Sequence, residues 1–246
     1  MLASKALLIL ALGTPLLALA SSEPDDIPRP AIATYEAQYE ASYSGFPIKA
    51  EHRLTRSGNG YEIRIKARNF LGKITEEELF HIDGQGAIVP DSYRNDRSIM
   101  GTTRKESMAV DHATSSIRAD RKGRQAQLDF EPGQLGPLSH QLELARDLQD
   151  GVEDLSYAVI IRGSVRDYRY ERRGEEDLET PLGTLRVLRL ERVRDNSDRE
   201  TVLWLAPELN YQPVLLRQKE DGSSYELTLQ SFRFTGESTA TPDAGQ

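Results

Sequence analysis

Residues 61–68 alternate without interruption: Tyr61, Ile63, Ile65 and Ala67 are apolar, and Glu62, Arg64, Lys66 and Arg68 between them are charged. A backbone that repeats every two residues sends these two sets to opposite faces, so the stretch reads as a strand with one dry face and one wet face. The preceding segment carries Ile48, Ala50, His52 and Leu54 and reaches it through Gly58-Asn59-Gly60, where glycine tolerates the positive φ of a hairpin loop. Similar punctuation recurs at Asp83-Gly84-Gln85-Gly86, Lys122-Gly123, Arg173-Gly174 and Asp221-Gly222, each between stretches that favour strands. The pattern predicts consecutive antiparallel strands in up-and-down order. Near the end, Leu227 and Leu229 share one phase while Phe232 and Phe234 share the other, which predicts a β-bulge and a curved sheet.

One segment has helical spacing. Leu138, Leu142, Ala145 and Leu148 recur at intervals of four, three and three and stack on a single helical face. Pro137 suits the first turn, and Gly151 suits the left-handed residue that ends a helix. The expected fold class is mainly β with one helix, the helix covering or plugging the concave side of the curved sheet, because that side has apolar surface to hide.

The ends of the chain differ from its middle. Lys5 precedes an apolar run from Ala6 to Leu12 that resumes at Pro15, and Ala18-Leu19-Ala20 has the small-x-small pattern of a signal-peptidase site. Residues 1–20 are therefore expected to be a signal peptide, leaving Ser21 first in a periplasmic protein. No later run approaches the roughly 20 apolar residues of a transmembrane helix. The absence of Cys removes disulfides and a lipoprotein anchor from consideration. Residues 21–31 read as a Pro-rich, acidic extended leader and 236–246 as a flexible tail. With no linker between them, 32–235 reads as a single β-rich domain. A chain of this size buries roughly 70% of its unfolded surface, enough for a core without staples.

Net charge is −8, from 31 basic and 39 acidic residues, which opposes binding to nucleic acid or anionic membranes. Loss of Lys5 with the signal peptide moves it to −9. The densest basic stretch, Arg166, Arg169, Arg172 and Arg173, is interleaved with or followed by Asp167, Glu171, Glu175, Glu176 and Asp177 and reads as a solvated strand face.

Candidate chemistry is sparse. Glu77, His81 and Asp83 share a phase, but alternate residues on a strand stand about 7 Å apart, too far for adjacent ligands of one ion, and a solvated polar face is the stronger reading. Ser139 and His140 are consecutive on a helix and point about 100° apart, so they form no dyad. The acidic runs Glu76-Glu77-Glu78 and Glu175-Glu176-Asp177 read as solvating. No nucleophile elbow, zinc-protease or phosphate-loop motif occurs. No catalytic residue, metal or cofactor is expected.

Three segments carry a resemblance: Leu138-Ser139 with Gln141-Leu142, then residues 179–184 (Glu-Thr-Pro-Leu-Gly-Thr), then residues 204–214 (Trp-Leu-Ala-Pro-Glu-Leu-Asn-Tyr-Gln-Pro-Val). In these the chain resembles the exported Gram-negative proteins grouped as domain of unknown function 3108, over most of residues 33–234. The resemblance implies a long antiparallel sheet curved into an open half-barrel or spiral around one helix, similar in outline to periplasmic lipoprotein carriers, with no established activity. Both turn-bearing motifs also have plain physical readings. Thr180-Pro181-Leu182-Gly183 fits a β-turn, and Pro213 fits a strand start or edge. Trp204 and Tyr211 are the candidate ligand-binding residues, set against the ordinary fate of a large aromatic, which is to fill a core.

The expected function is a soluble, monomeric, non-enzymatic binding or scaffolding protein in envelope maintenance, partnered by an envelope protein or by a hydrophobic ligand on the concave face. Two alternatives stand beside it: a polysaccharide- or peptidoglycan-active accessory enzyme using surface carboxylates, and an interaction module working through a sheet edge. A helix that filled the concavity completely would argue against carriage.

Overall fold

A computed structural model of the chain describes residues 29, 32–43, 46–70, 72–194, 199–220 and 223–236. The expected signal peptide, the leader apart from Arg29, the tail beyond Gly236 and the Asp221-Gly222 turn lie outside the described residues. Eight strands come first: β1 (Tyr35–Tyr43), β2 (Phe46–Ser57), β3 (Gly60–Asn69), β4 (Gly72–Ile82), β5 (Ile88–Ile99), β6 (Thr102–Asp111), β7 (Ser116–Arg121) and β8 (Arg124–Asp129). Helix α1 (Ser139–Gln149) follows, and then β9 (Leu155–Ile161), β10 (Ser164–Thr180), β11 (Gly183–Val193), β12 (Glu200–Ala206), β13 (Gln212–Glu220) and β14 (Ser223–Phe234).

All fourteen strands form one antiparallel sheet in the order β8 to β1, then β14 to β9. Consecutive strands pair with one another except β8 and β9, and the first pairs with the last. The helix therefore connects the two strands at the sheet's opposite edges, β8 and β9, and the sheet does not close into a barrel. The edges still approach. Gly163 in the β9–β10 turn faces the methyl groups of Ala126 and Ala119. The Arg162 amide donates to Glu106 at 2.8 Å, and Leu135 makes a parallel bridge to Val159 along the edge of β9.

The alternation in residues 61–68 takes the expected form, with Tyr61 and Ile63 buried and Ile65 and Ala67 half-buried behind them. The curvature is built from irregularities. Opposite Gln38 and Tyr39 the register of β14 skips one residue, Gln230, between Ser231 and Leu229, which is the bulge implied by the change of phase there. Arg173-Gly174 is a correction: it does not separate two strands. It lies inside the 17-residue β10, where the register with β11 shifts between Arg172 and Gly174, and Gly174 has φ +112°. Glycine with positive φ serves a bulge as well as a turn, so its presence alone did not distinguish them. Thr180 closes the β10–β11 turn, its hydroxyl accepting from the Leu182 amide at 3.1 Å and donating to the Gly183 carbonyl at 2.7 Å. Pro213 is the second residue of β13, beside a bulge opposite Trp204 and Leu205.

Helix α1 begins at Ser139, two residues later than Pro137 implied, and its chain exit passes through Gly151 at φ +73°. Leu138 and Leu148 are buried as the spacing required, together with Leu144. Leu142 and Ala145 are only half-buried. The helix lies against β9 and β5, with Leu148 buried, while Leu142 and Ala145 border an open space.

Candidate functional site

The open space is a cavity of about 1590 Å³ between α1 and the inner faces of β9 to β14, reaching Tyr35 on β1. The helix forms one side of it and the sheet the rest. Part of its wall is apolar, built by Leu142, Leu144, Leu203, Leu205, Leu216 and Phe232. Five tyrosines stand among them: Tyr35, Tyr157, Tyr168, Tyr170 and Tyr211.

The charged part of the lining is one-sided. Nine arginines line the cavity, against two carboxylates, Asp150 and Asp167. Two of the nine are committed to the helix. Arg29 makes ion pairs with Glu143 at 2.7 Å, Asp147 at 2.9 Å and Asp150 at 2.9 Å, which pins the chain ahead of β1 to α1. Arg146 pairs with Glu143 at 3.1 Å and donates to the Gly86 carbonyl at 2.8 Å.

Arg192, Arg194 and Arg199 form a second group. Arg192 lies over the Tyr168 ring, 3.1 Å from its centroid, with a buried Nε that has no hydrogen-bond partner. Arg194 donates to Thr201 Oγ1 at 3.0 Å and to the Arg199 carbonyl at 3.3 Å. Burial, then the like charges of Arg192 and Arg199, hold the Arg194 guanidinium below its ordinary pKa. Neither Arg192 nor Arg194 meets a carboxylate within ion-pair distance among the described residues. Beside them His140 is buried, its Nε2 3.2 Å from the Tyr170 hydroxyl and its ring edge-on to Tyr168. Burial, reinforced by Arg192, pushes its pKa down to about 4, so its imidazole is neutral at physiological pH.

The two candidate aromatics separate. Tyr211 lines the cavity, half-buried, at φ +56° beside Asn210 at φ +53°. A bulky side chain in the left-handed region costs about 1–3 kcal/mol and persists only where its surroundings enforce it. Here the turn does so, the Tyr211 amide donating to the Ala206 carbonyl at 2.8 Å. Trp204 is not part of the cavity wall. It is buried, its indole N–H donates to Glu176, and the guanidiniums of Arg217 and Arg189 lie 5.2 and 5.8 Å from its ring.

The basic stretch also divides, which corrects its reading as one solvated face. Arg166 and Arg169 line the cavity. Arg172 donates to the carbonyls of Val152 and Glu153, and Arg173 pairs with Glu171 and Glu191. Glu77, His81 and Asp83 are not brought together. Glu77 pairs with Arg64 at 2.9 Å, and Asp83 accepts the Gln85 and Ala87 amides of its own turn. Ser139 Oγ accepts the Gly136 amide, apart from the His140–Tyr170 contact.

The run Glu76-Glu77-Glu78 is a further correction. Glu78 is fully buried and accepts the Leu138 and Ser139 amides at 2.6 and 3.2 Å, capping the positive end of α1 from β4. Burial pushes its carboxyl up to about 7 despite these bonds. Gly136 packs so closely on this carboxylate that a Cβ there would overlap it. The signal was available, because Glu76 and Glu78 share the strand phase of Ile74, Phe80 and Ile82.

An open antiparallel sheet wrapped beside one helix, with an arginine- and tyrosine-lined interior, defines a barrel-like β-protein with an internal cavity. The chain belongs to the family described as protein of unknown function DUF3108, which it matches over residues 38–230. Among solved structures it is similar to a beta-barrel-like protein of domain of unknown function DUF1849 from Brucella abortus. The TM-score is 0.58 at 10% identity, covering 84% of this chain and 100% of that one, a likeness of fold. No curated protein matches it. Among the described residues no helix is long and apolar enough to cross a membrane.

Proposed function

We propose that the protein is a non-enzymatic binding protein of the exported, periplasmic compartment that shelters an anionic amphiphile in its concave cavity. The observation that carries this reading is the cavity itself, about 1590 Å³ with apolar walls and nine arginines against two carboxylates, in a chain of net charge −8. The volume exceeds the roughly 300–1,000 Å³ of ordinary small-molecule pockets and leaves room for an extended apolar chain. Concentrating cations inside an acidic protein creates a local field that favours a carboxylate or phosphate head, and the low-dielectric wall focuses it. Arg192 and Arg194 would receive the head in the fork geometry that guanidinium offers to such groups. Leu203, Leu205, Leu216 and Phe232 would face the tail. A role in cell-envelope maintenance follows from cargo of this class.

The test is native mass spectrometry of protein purified from the periplasm without detergent, followed by solvent extraction and titration with cis-parinaric acid as a fluorescent anionic probe. A stoichiometric anionic lipid, or saturable probe uptake weakened at least roughly tenfold by the double variant R192Q/R194Q, is the expected result. A clean apo mass with no saturable uptake would sink the proposal and direct attention to a protein partner at the sheet edge.

A further inference from the structure

We propose that His81, Asp91 and His112 form a divalent transition-metal site of the zinc-binding kind, on the face of β4 opposite the buried Phe80 and away from the cavity. The three residues come from three elements: β4, β5 and the turn between β6 and β7. His81 Nδ1 lies 3.0 Å from Asp91 Oδ1, and His112 Nε2 lies 2.9 Å from the same oxygen. All three donor atoms fall within 4.8 Å of one another. Bonds of 2.0–2.2 Å at tetrahedral angles set ligand separations of ~3.4 Å, inside the 4.8 Å span of the three donor atoms.

The local fold supports the convergence. Between β4 and β5 the register steps from Leu79↔Ser92 to Phe80↔Pro90, so Asp91 is the extra residue of a β-bulge. Bulges re-aim a side chain, and this one brings a carboxylate beside His81. The turn that carries His112 is held by Asp111, whose side chain accepts the Ala113 and Thr114 amides. The His112 ring is braced edge-on by Phe130 at 5.5 Å and meets the His81 ring edge-on at 5.4 Å.

Of the four histidines in the chain, two meet one carboxylate from 31 positions apart, while His52 on β2 packs against Tyr35 and His140 on α1 is buried beside Tyr170. The side chains of His81, Asp91 and His112 are 37%, 39% and 38% exposed, so an ion can reach them. A hollow of about 330 Å³ adjoins His81 and Asp91, lined also by Ser57, Asn59 and Tyr61, and gives a fourth ligand a place.

Two imidazoles and one carboxylate with an open position match the ligand chemistry of three-coordinate protein sites for Zn²⁺.

The experiment uses untagged, chelator-stripped full chain, titrated with ZnCl₂ by calorimetry and with Co²⁺ by visible absorption, while the histidine ring resonances are followed by NMR. The expected result is one saturable equivalent that shifts two of the four histidine signals, weakened roughly tenfold or more in both H112Q and D91N. Circular dichroism of the variants establishes that they are folded, and H112Q carries the test if D91N is not. Non-saturable uptake, or a Zn²⁺ affinity unchanged in folded H112Q, overturns the proposal. Its failure leaves the cavity reading untouched, since the two sites share no residue.

Discussion

Glu78 accepts two helix amides from inside the sheet, and the cost of its burial appears in its titration. Its carboxyl titrates near 7 when folded, against an ordinary value of 4.5. Between pH 4.5 and 7 the folded chain therefore holds a proton that the unfolded chain has released. This contribution is complete below 4.5, declines as the pH rises to about 7 and is flat above. His52 and His140, both pushed down to about 4 by burial, act in the opposite sense and destabilise the fold as the pH falls below 6.5. Comparison with E78Q isolates the carboxylate, because both proteins keep the histidines. The wild-type stability relative to E78Q should fall by on the order of 3 kcal/mol between pH 4.5 and 8, measured by urea unfolding across that range. Gly136 presses on the same carboxylate, and its Cα has no room for a side chain. G136A should cost about 1–3 kcal/mol by overpacking, read from the midpoint of the same unfolding curves. At this scale period-two phase already placed Glu78 inward. Reading the run Glu76-Glu77-Glu78 by composition instead concealed it, because composition carries no facing.

Helix α1 shows how the same spacing divides between packing and function. The interval pattern identified one apolar face, yet Leu148 is buried away from the cavity while Leu142 lines it. L148A should lose about 2–5 kcal/mol of stability, as expected for a buried leucine replaced by alanine. Leu142→Asp should change stability by less than about 1 kcal/mol and instead reduce uptake of an anionic probe, because it sets a carboxylate beside the arginines. Thermal unfolding and probe fluorescence on both variants separate the two roles, and unfolding of the Leu142→Asp protein would mean that the helix fills the sheet. The strand elements were legible wherever alternation was clean, as from Tyr61 to Ala67. They were least legible at Arg173-Gly174, where one glycine bends a strand that a turn would have ended. Local sequence is the same in both cases, and what decides is whether β11 continues to pair beyond the kink.

For the whole molecule the decisive feature is that fourteen strands meet in the middle, β1 against β14, and leave a gap spanned by the segment carrying Leu135 and α1. That segment shields β9: the Leu135 amide donates to Ala158 and the Ile160 amide to Leu135, both at 2.9 Å. β8 has a strand ladder on one side among the described residues, through β7. Hydrogen exchange should accordingly be faster in peptides from 124–129 than in those from 155–161, since an uncovered ladder opens at a lower free energy. Equal protection of the two would imply that β8 is covered as well. The segregation of charge belongs to this scale also. A net charge of −8 over the whole chain conceals a cationic cavity lining.

The class was written along the chain: alternation specified strands, glycine-bearing turns specified their up-and-down order, a phase slip specified curvature, and leucine spacing specified one helix. These are local properties, expressed through backbone geometry within a few residues. Which side chains face one another was left to tertiary packing. It turned Arg192 and Arg194 toward the space that Leu142 and Tyr211 border, took Trp204 out of it, and joined His112 to His81 across two strands. Such meetings depend on register, bulges and the path of the chain from β8 through α1 to β9, which couple residues far apart in sequence and leave no periodic mark in it.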